Sequence, residues 1–124
     1  DFIGTPKINL VNADAVSIGG TVHLKCGAFD INDVSTQASG AVVAAIRPED
    51  IRISLEKIPD SAEFITYAVL PAGSEIIVNA RCGDSNLVVK ETRDIEIDMD
   101  RSIWLSFDTK KINLYDKQSG DLIV

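Results

Sequence analysis

The chain has 124 residues, a hydrophobic fraction of 45% and a net charge of −7. This length fits one domain, and the hydrophobic fraction supports a packed core and excludes a disordered chain. The negative charge and the scattered Lys and Arg residues exclude the basic patch that nucleic acids and anionic membranes require. We therefore predict no nucleic-acid partner.

The first residues show no charged segment typical of a secretory signal, and the chain begins with Asp1 rather than Met. We interpret it as a fragment or a processed chain, in which Asp1–Asn9 could be the tail of a helix that ends near Gly4-Thr5-Pro6. No apolar run approaches the roughly 18 residues that a membrane helix needs.

Apolar and polar residues then alternate with a period of two, which is typical of half-buried β-strands. Gly19-Gly20 separates Ala15–Ile18 from Thr21–Cys26, a pattern that predicts a hairpin. The polar segment Asp30–Gly40 is predicted to be a loop. A further strand is expected over Ala41–Ile46.

That strand should end at a charged corner, Arg47-Pro48-Glu49-Asp50. Pro48 cannot donate a backbone hydrogen bond and forces Arg47 into an extended conformation. We expect the next strand to restart at Ile51. The corner is interpreted either as a local ion-paired turn or as a surface that a partner recognises.

The same alternation predicts several later strands, interrupted by Pro71-Ala72-Gly73 and by Gly83-Asp84-Ser85-Asn86. The acidic residues Asp94, Glu96, Asp98 and Asp100 alternate with Ile95, Ile97 and Met99. Acids on one face of a strand do not converge on one ion, so a charge-protected edge strand is favoured over a calcium loop. We predict eight to ten strands in an all-β sandwich or small barrel.

Few side chains suggest chemistry. Cys26 and Cys82 both fall on apolar strand faces, which favours two reduced core thiols, with a disulfide as the alternative. His23 is interpreted as a surface residue. Trp104 and Tyr115 occupy polar phases of late strands and either cover the barrel or contribute to an interface. The sequence lacks a P-loop and a GxSxG motif, so we predict no catalytic, cofactor-binding or metal-binding residue.

Four stretches in order resemble the sugar-type ABC importer ATPases. The start, Phe2-Ile3-Gly4-Thr5-Pro6-Lys7-Ile8-Asn9, is similar to the family's FIGSP segment followed by a variable residue and Met-Asn. Arg47-Pro48-Glu49-Asp50 is similar to its RPED signature, and Ala72-Gly73-Ser74-Glu75 to its LGSE turn. The end resembles the closing pattern F-D-P, H-L-F-D and Thr-Gly. Its matching residues are Phe107, Asp108, Leu114, Asp116 and Gly120, with Tyr115 at the position of the second Phe. Thr109, Asn113 and Tyr115 depart from the usual Pro, His and Phe.

The resemblance implies the C-terminal regulatory domain of such an ATPase, a transport-associated OB-type (TOBE) domain. Residues 1–10 would be the tail of an interdomain segment, and residues 11–124 a small OB-like β-barrel with additional strands and little helix. ATP and Mg²⁺ would bind in the preceding nucleotide-binding domain, so this part would not be an enzyme.

The expected partners are a second copy through the regulatory domain, membrane-spanning importer subunits through the preceding domain, and a regulatory protein. The expected location is cytoplasmic, at the inner face of the cell membrane. The signature or interface residues implied are Arg47, Pro48, Glu49, Asp50, Asp108, Tyr115, Asp116 and Gly120.

Two alternatives remain open from the sequence. One is an OB module that binds a small anion, for which the charge of −7 is unfavourable overall but does not prevent a local pocket. The other is a secreted β-sandwich, either an adhesion domain or an enzyme, which the state of the two cysteines would distinguish.

Overall fold

The computed structural model describes residues 7–34 and 37–123, which form ten β-strands and two single 3-10 turns. The strands are β1 (Asn9–Ile18), β2 (Thr21–Lys25), β3 (Asp30–Val34), β4 (Gly40–Ile46), β5 (Ile51–Ser54), β6 (Ala62–Ala72), β7 (Glu75–Cys82), β8 (Ser85–Glu91), β9 (Ser102–Phe107) and β10 (Asn113–Asp116). The 3-10 turns cover Pro48–Asp50 and Thr109–Lys111. The predicted all-β class is confirmed. The possible helix tail at 1–9 lies mostly outside the described residues, and β1 begins at Asn9.

The strands form two five-stranded antiparallel sheets, with orders β10-β4-β1-β2-β3 and β5-β9-β6-β7-β8. One hydrophobic core joins both sheets. Phe64 is fully buried in it, and its ring packs edge-to-face on Phe29 with centroids 5.0 Å apart. Phe29 also stacks on Phe107 at 6.0 Å. The apolar residues of the alternating pattern therefore point into the core between the two sheets.

The segment 30–40 differs from the predicted loop, because Asp30–Val34 forms β3 and pairs with β2. Only Ile31 and Val34 of this strand are buried, and the spacing between them is three rather than two. Asp33 has a φ of 58°, and the register shifts beside it. A bulged edge strand of this kind hides the period-two signal.

The predicted edge strand around Ile95, Ile97 and Met99 is wrong, since residues 92–101 form no strand. Ile97 is buried, but Met99 is 55% exposed. The backbone around Asp98 and Asp100 is hydrogen-bonded to Thr66 of β6 instead of to a neighbouring strand. The Thr66 hydroxyl donates to the Asp98 carbonyl at 2.6 Å, and the Thr66 carbonyl accepts from the Asp100 N–H at 2.8 Å. The acidic residues between 94 and 100 thus lie in an irregular segment that is hydrogen-bonded to β6.

Pro71 does not interrupt its strand as predicted, because β6 continues through it to Ala72. The two-residue turn Gly73-Ser74 joins Ala72 to Glu75, which form a hydrogen-bonded pair. Hydrogen-bonded and non-hydrogen-bonded pairs alternate along antiparallel strands, so the next residue, Pro71, belongs to a non-hydrogen-bonded pair. Its nitrogen therefore faces away from β7. On that side β6 pairs with β9 only over Ala62–Ile65. The missing donor therefore lies on an open strand edge, where proline is tolerated.

Both cysteines are free thiols, which disfavours the secreted-domain alternative. Cys26 is buried as predicted, and burial, with a smaller contribution from Asp30, raises its pKa to about 12. Cys82 is only half-buried, and burial again raises its pKa, with Glu63 adding to the effect.

His23 lies on the sheet surface, with its ring nitrogens 3.2 Å from the Thr21 hydroxyl and 3.1 Å from Asn32 Oδ1.

Two contacts fasten the sheets to each other. The Asn9 side chain donates to the Ile46 carbonyl at 3.1 Å and the Val88 carbonyl at 2.9 Å, and it accepts from the Val88 N–H at 2.8 Å. It thereby satisfies backbone groups at the open edge of β8. At the β7–β8 turn, a Cβ added to Gly83 would lie 2.7 Å from Ala28 Cβ, so this close approach requires glycine.

A separate contact joins the two edge strands of the second sheet, β8 and β5, and it is made where buried Glu91 meets Arg93 at the end of β8. Arg93 donates to both carboxylate oxygens and, at 2.6 Å, to the Ile53 carbonyl. Burial alone would raise the pKa of Glu91, but the hydrogen bonds and charge of Arg93 together lower it below 4.5. The ionised carboxylate is therefore favoured by folding.

We expect Glu91→Gln to destabilise the protein by about 1–2 kcal/mol at neutral pH, because the buried side chain loses charge-assisted hydrogen bonds from Arg93, whose own side chain is largely exposed. The stabilisation is present above the unfolded pKa and disappears as pH falls through the lowered folded pKa. Urea unfolding of both proteins between pH 7 and pH 3 should show the difference shrinking toward acid. A difference that is constant with pH would contradict this assignment.

Candidate functional site

The signature corner has the backbone that its sequence predicts. β4 ends at Ile46, Arg47 is extended with φ −72° and ψ 141°, and Pro48 opens the 3-10 turn. The Asp50 N–H donates to the Arg47 carbonyl at 3.0 Å, and β5 begins at Ile51. Pro48 is buried, which fixes the corner against the core.

The charges of this corner do not pair with one another. Arg47 is exposed, and its side chain forms no hydrogen bond or ion pair with any described residue. The Asp50 side chain is only 10% exposed, and its Oδ1 lies 3.9 Å from Lys111 Nζ. Its Oδ2 is buried without a hydrogen-bond partner. Glu49 is exposed and lies near Lys90, whose pKa is raised chiefly by its hydrogen bond to Glu75 and slightly by Glu49.

The second signature segment meets the first at this place. The Asp108 N–H donates to the Asp50 carbonyl at 3.1 Å, and its carboxylate accepts from the Lys110 N–H at 3.3 Å, opening the second 3-10 turn. Lys111 Nζ lies 3.8 Å from Asp108 Oδ2 and therefore stands between two carboxylates. The resulting corner cleft has a volume of about 410 Å³ and is lined by Glu49, Asp50, Arg52, Ser106, Phe107, Asp108 and Lys111.

The remaining signature residues lie apart from the cleft, around the far end of β10. The Asp116 carboxylate accepts the N–H groups of Ser119 and Gln118, each at 2.9 Å, and these bonds, the one from Ser119 first, lower its pKa. Gly120 donates to the Asp116 carbonyl at 2.8 Å and has a φ of 79°. Tyr115 is half-buried and bridges to Leu122. This group folds the end of the chain back on β10.

Trp104, the other aromatic residue singled out in the sequence, is half-buried on β9, where its neighbours in the sheet are Glu63 and Ser54. It therefore lies at the surface of the second sheet, and Tyr115 lies at the edge of the first.

A separate cleft of about 330 Å³ contains Arg52 and Arg93 beside Ser54 and Ser106. Arg93 is already neutralised by Glu91, so Arg52 is the uncompensated cation there. No group of three or more His, Cys, Asp or Glu side chains in residues 7–34 and 37–123 is placed to hold a metal ion. Within the same ranges, no helix has the length and hydrophobicity needed to cross a bilayer.

The sequence did not reveal Lys111 or Asn9 as important residues. Lys111 belongs to an unremarkable Lys-Lys pair, and its position between Asp50 and Asp108 depends on β5 pairing with β9. Asn9 ends the stretch that resembles the family's start segment, but that resemblance gives it no structural role. Its bonds to Val88 depend on a contact between two sheets, which no local pattern encodes.

Comparison with known proteins gives a consistent set of relatives. No family model matches the chain. It is 36% identical over 93 residues to the sn-glycerol-3-phosphate import ATP-binding protein UgpC of Bordetella parapertussis, covering 72% of this chain and 24% of that protein. It is 28% identical over 133 residues to the trehalose/maltose import ATP-binding protein MalK of Thermococcus litoralis, covering 98% and 36%. The chain thus spans about a quarter to a third of the length of the curated relatives it matches.

Among solved structures, the cytoplasmic molybdate-binding protein ModG in its molybdate-bound form aligns with a TM-score of 0.68 over 90% of this chain and 98% of that one. Its sequence identity is 9%, so this likeness bears on the fold alone.

The fold is therefore the predicted OB-like β-barrel with additional strands. The resemblance found in the sequence is also confirmed: the chain is similar to the C-terminal, transport-associated OB-type domain of sugar-type ABC importer ATP-binding subunits.

Proposed function

We propose that the chain is a non-catalytic regulatory and dimerisation domain of an ABC importer ATP-binding subunit that serves the uptake of a sugar or a related small solute. The observation that carries this proposal is the match to importer ATP-binding proteins over 98% of the chain. The match covers every described strand, so it concerns the whole domain and not one motif.

The proposed mechanism is scaffolding. β-surfaces of two copies hold two ATP-binding subunits together while their nucleotide-binding domains open and close. A regulatory protein that prefers one state of the pair would shift the equilibrium toward it. The signature residues at the corner cleft and at the Asp116 turn are the proposed sites of such contacts.

In our proposal, ATP binding and the contacts with the membrane-spanning subunits are made by another domain, outside this chain. ATP and Mg²⁺ bind to the preceding nucleotide-binding domain, which also contacts the membrane-spanning subunits. The complex is placed on the cytoplasmic side, at the inner face of the cell membrane. This chain then needs no cofactor of its own.

Two measurements on the purified chain test the proposal. Sedimentation analysis should find a dimer at micromolar concentrations, and ATP with Mg²⁺ should produce neither turnover nor a shift of the melting temperature. A reproducible thermal shift at millimolar ATP would contradict a non-catalytic role. A chain that remains monomeric up to about 100 µM, far above typical specific affinities, would contradict dimerisation.

The anion-binding alternative has one feature in its favour, the uncompensated Arg52 beside two serines. Calorimetry with molybdate, sulfate and phosphate tests it directly. Saturable heat that is lost in Arg52→Gln would support an anion site, whereas silence with all three anions would remove the alternative.

A further inference from the structure

We propose that the corner cleft is the contact between two copies of this chain, with Arg47 of each copy entering the acidic cleft of the other. This inference rests on the proposed dimerisation and names the residues that make it. It follows from a cation and a buried carboxylate oxygen on the same turn, neither of which has a partner among the residues that the structure describes.

The cation is Arg47. A guanidinium remains charged at every relevant pH and offers five N–H donors in a planar fork that matches a carboxylate. Here it is exposed and has no partner among the described residues, while Pro48 holds its backbone in an extended conformation. Arginine is enriched at protein interfaces, and a pre-positioned backbone reduces the entropy lost on binding.

The acceptor is the floor and rim of the corner cleft. Asp50 Oδ2 is buried without a hydrogen bond, and Lys111 Nζ, at 3.9 Å from the other oxygen, is too distant to donate one. A buried carboxylate oxygen without a partner is costly. Glu49 and Asp108 add two accessible carboxylates at the rim, so the three acids outnumber Arg52 and Lys111.

Donor and acceptor adjoin each other. The Asp50 N–H bonds to the Arg47 carbonyl, so one turn carries both signs of charge. A two-fold axis pairs a surface patch with itself, and a patch with both signs is then self-complementary, with each contact made twice.

Apolar surface lies next to this turn. Asn9 pairs with Ile46 and Leu10 with Ala45 on the strand that leads into Arg47, so Ile8 and Leu10 lie at the start of β1, near this turn. Ile8 is 41% exposed and Leu10 is 67% exposed. These two side chains would supply the hydrophobic part that a stable interface needs.

The first test is charge reversal at Arg47, measured as the dimer dissociation constant by sedimentation equilibrium. Arg47→Glu should raise this constant by about tenfold or more, because two contacts are lost and two repulsive ones are created. Its circular dichroism and melting temperature should not change, since Arg47 has no partner among residues 7–34 and 37–123. Lys57→Glu, in the exposed loop between β5 and β6, carries the same charge change and should leave the constant unaltered.

The second test mixes two defective variants. Glu49→Lys should also weaken the dimer. Within the described part of the chain Glu49 forms no hydrogen bond, and its charge has only a minor effect on Lys90, so the fold should be retained. In a heterodimer of Arg47→Glu with Glu49→Lys, one contact is wild type and the other has both charges reversed. The equimolar mixture should therefore dimerise with an affinity near that of the wild type, although neither variant does so alone.

The outcomes separate the two proposals. A wild-type dimer whose dissociation constant is unchanged by Arg47→Glu overturns the placement of the interface and leaves dimerisation intact. A mixture that stays monomeric, like its components, overturns the reciprocal contact. A wild-type chain that is monomeric throughout overturns the proposed dimerisation itself.

Discussion

Replacing Phe64 with alanine should destabilise the protein by about 3–5 kcal/mol and lower its melting temperature by about 10–20 °C. Phe64 is fully buried, and its ring packs on Phe29, which in turn stacks on Phe107. Truncation removes apolar burial and leaves a cavity that rigid strands from both sheets cannot fill. The effect is large because this cluster joins β6, β9 and the β2–β3 turn.

Urea and thermal unfolding of Phe64→Ala, compared with Leu70→Ala, provide the measurement. Leu70 is 55% exposed near the tip of the β6–β7 hairpin, so its truncation should cost well under about 1 kcal/mol. Equal losses in the two variants would show that burial between the sheets is not what determines stability here.

The second large effect is expected for Asn9→Ala, at about 2–3 kcal/mol. The substitution removes three hydrogen bonds and leaves the N–H and carbonyl of Val88 without partners at a partly buried strand edge. Hydrogen exchange of the Val88 amide should accelerate more than exchange in the centre of β7, because the contact between the sheets opens locally.

Asn12→Ala is the matched control, since Asn12 lies on the exposed face of the same strand. We expect its unfolding free energy to change by less than about 0.5 kcal/mol. If Asn9→Ala behaved like this control, the contact between β1 and β8 would not contribute to stability.

The alternation of apolar residues predicted most of the fold because period-two burial is a local property. It worked for β2, where Val22 and Leu24 are buried while Thr21 and Lys25 are exposed. It failed for β3, where a bulge at Asp33 breaks the period. It also failed around Ile97, where alternation is present but the backbone bonds of the following turn go to Thr66.

The site was predictable in part. The sequence singled out the corner from Arg47 to Asp50 and the segment containing Asp108, but it did not show that the two segments share one cleft. Their meeting depends on the pairing of Ile51 with Phe107, a long-range register that turn chemistry does not determine. The role of Lys111 follows only from that pairing.

The Asn9–Val88 bond also has a consequence for the order of folding. Its partners are 79 positions apart, so it cannot form during synthesis until β8 has left the ribosome. The hairpins β1–β2 and β6–β7 close short loops and can assemble earlier, while joining the two sheets requires a long and entropically costly loop. Until that step, the edge of β8 remains open to pairing with other chains, which makes the half-assembled barrel the species most exposed to aggregation.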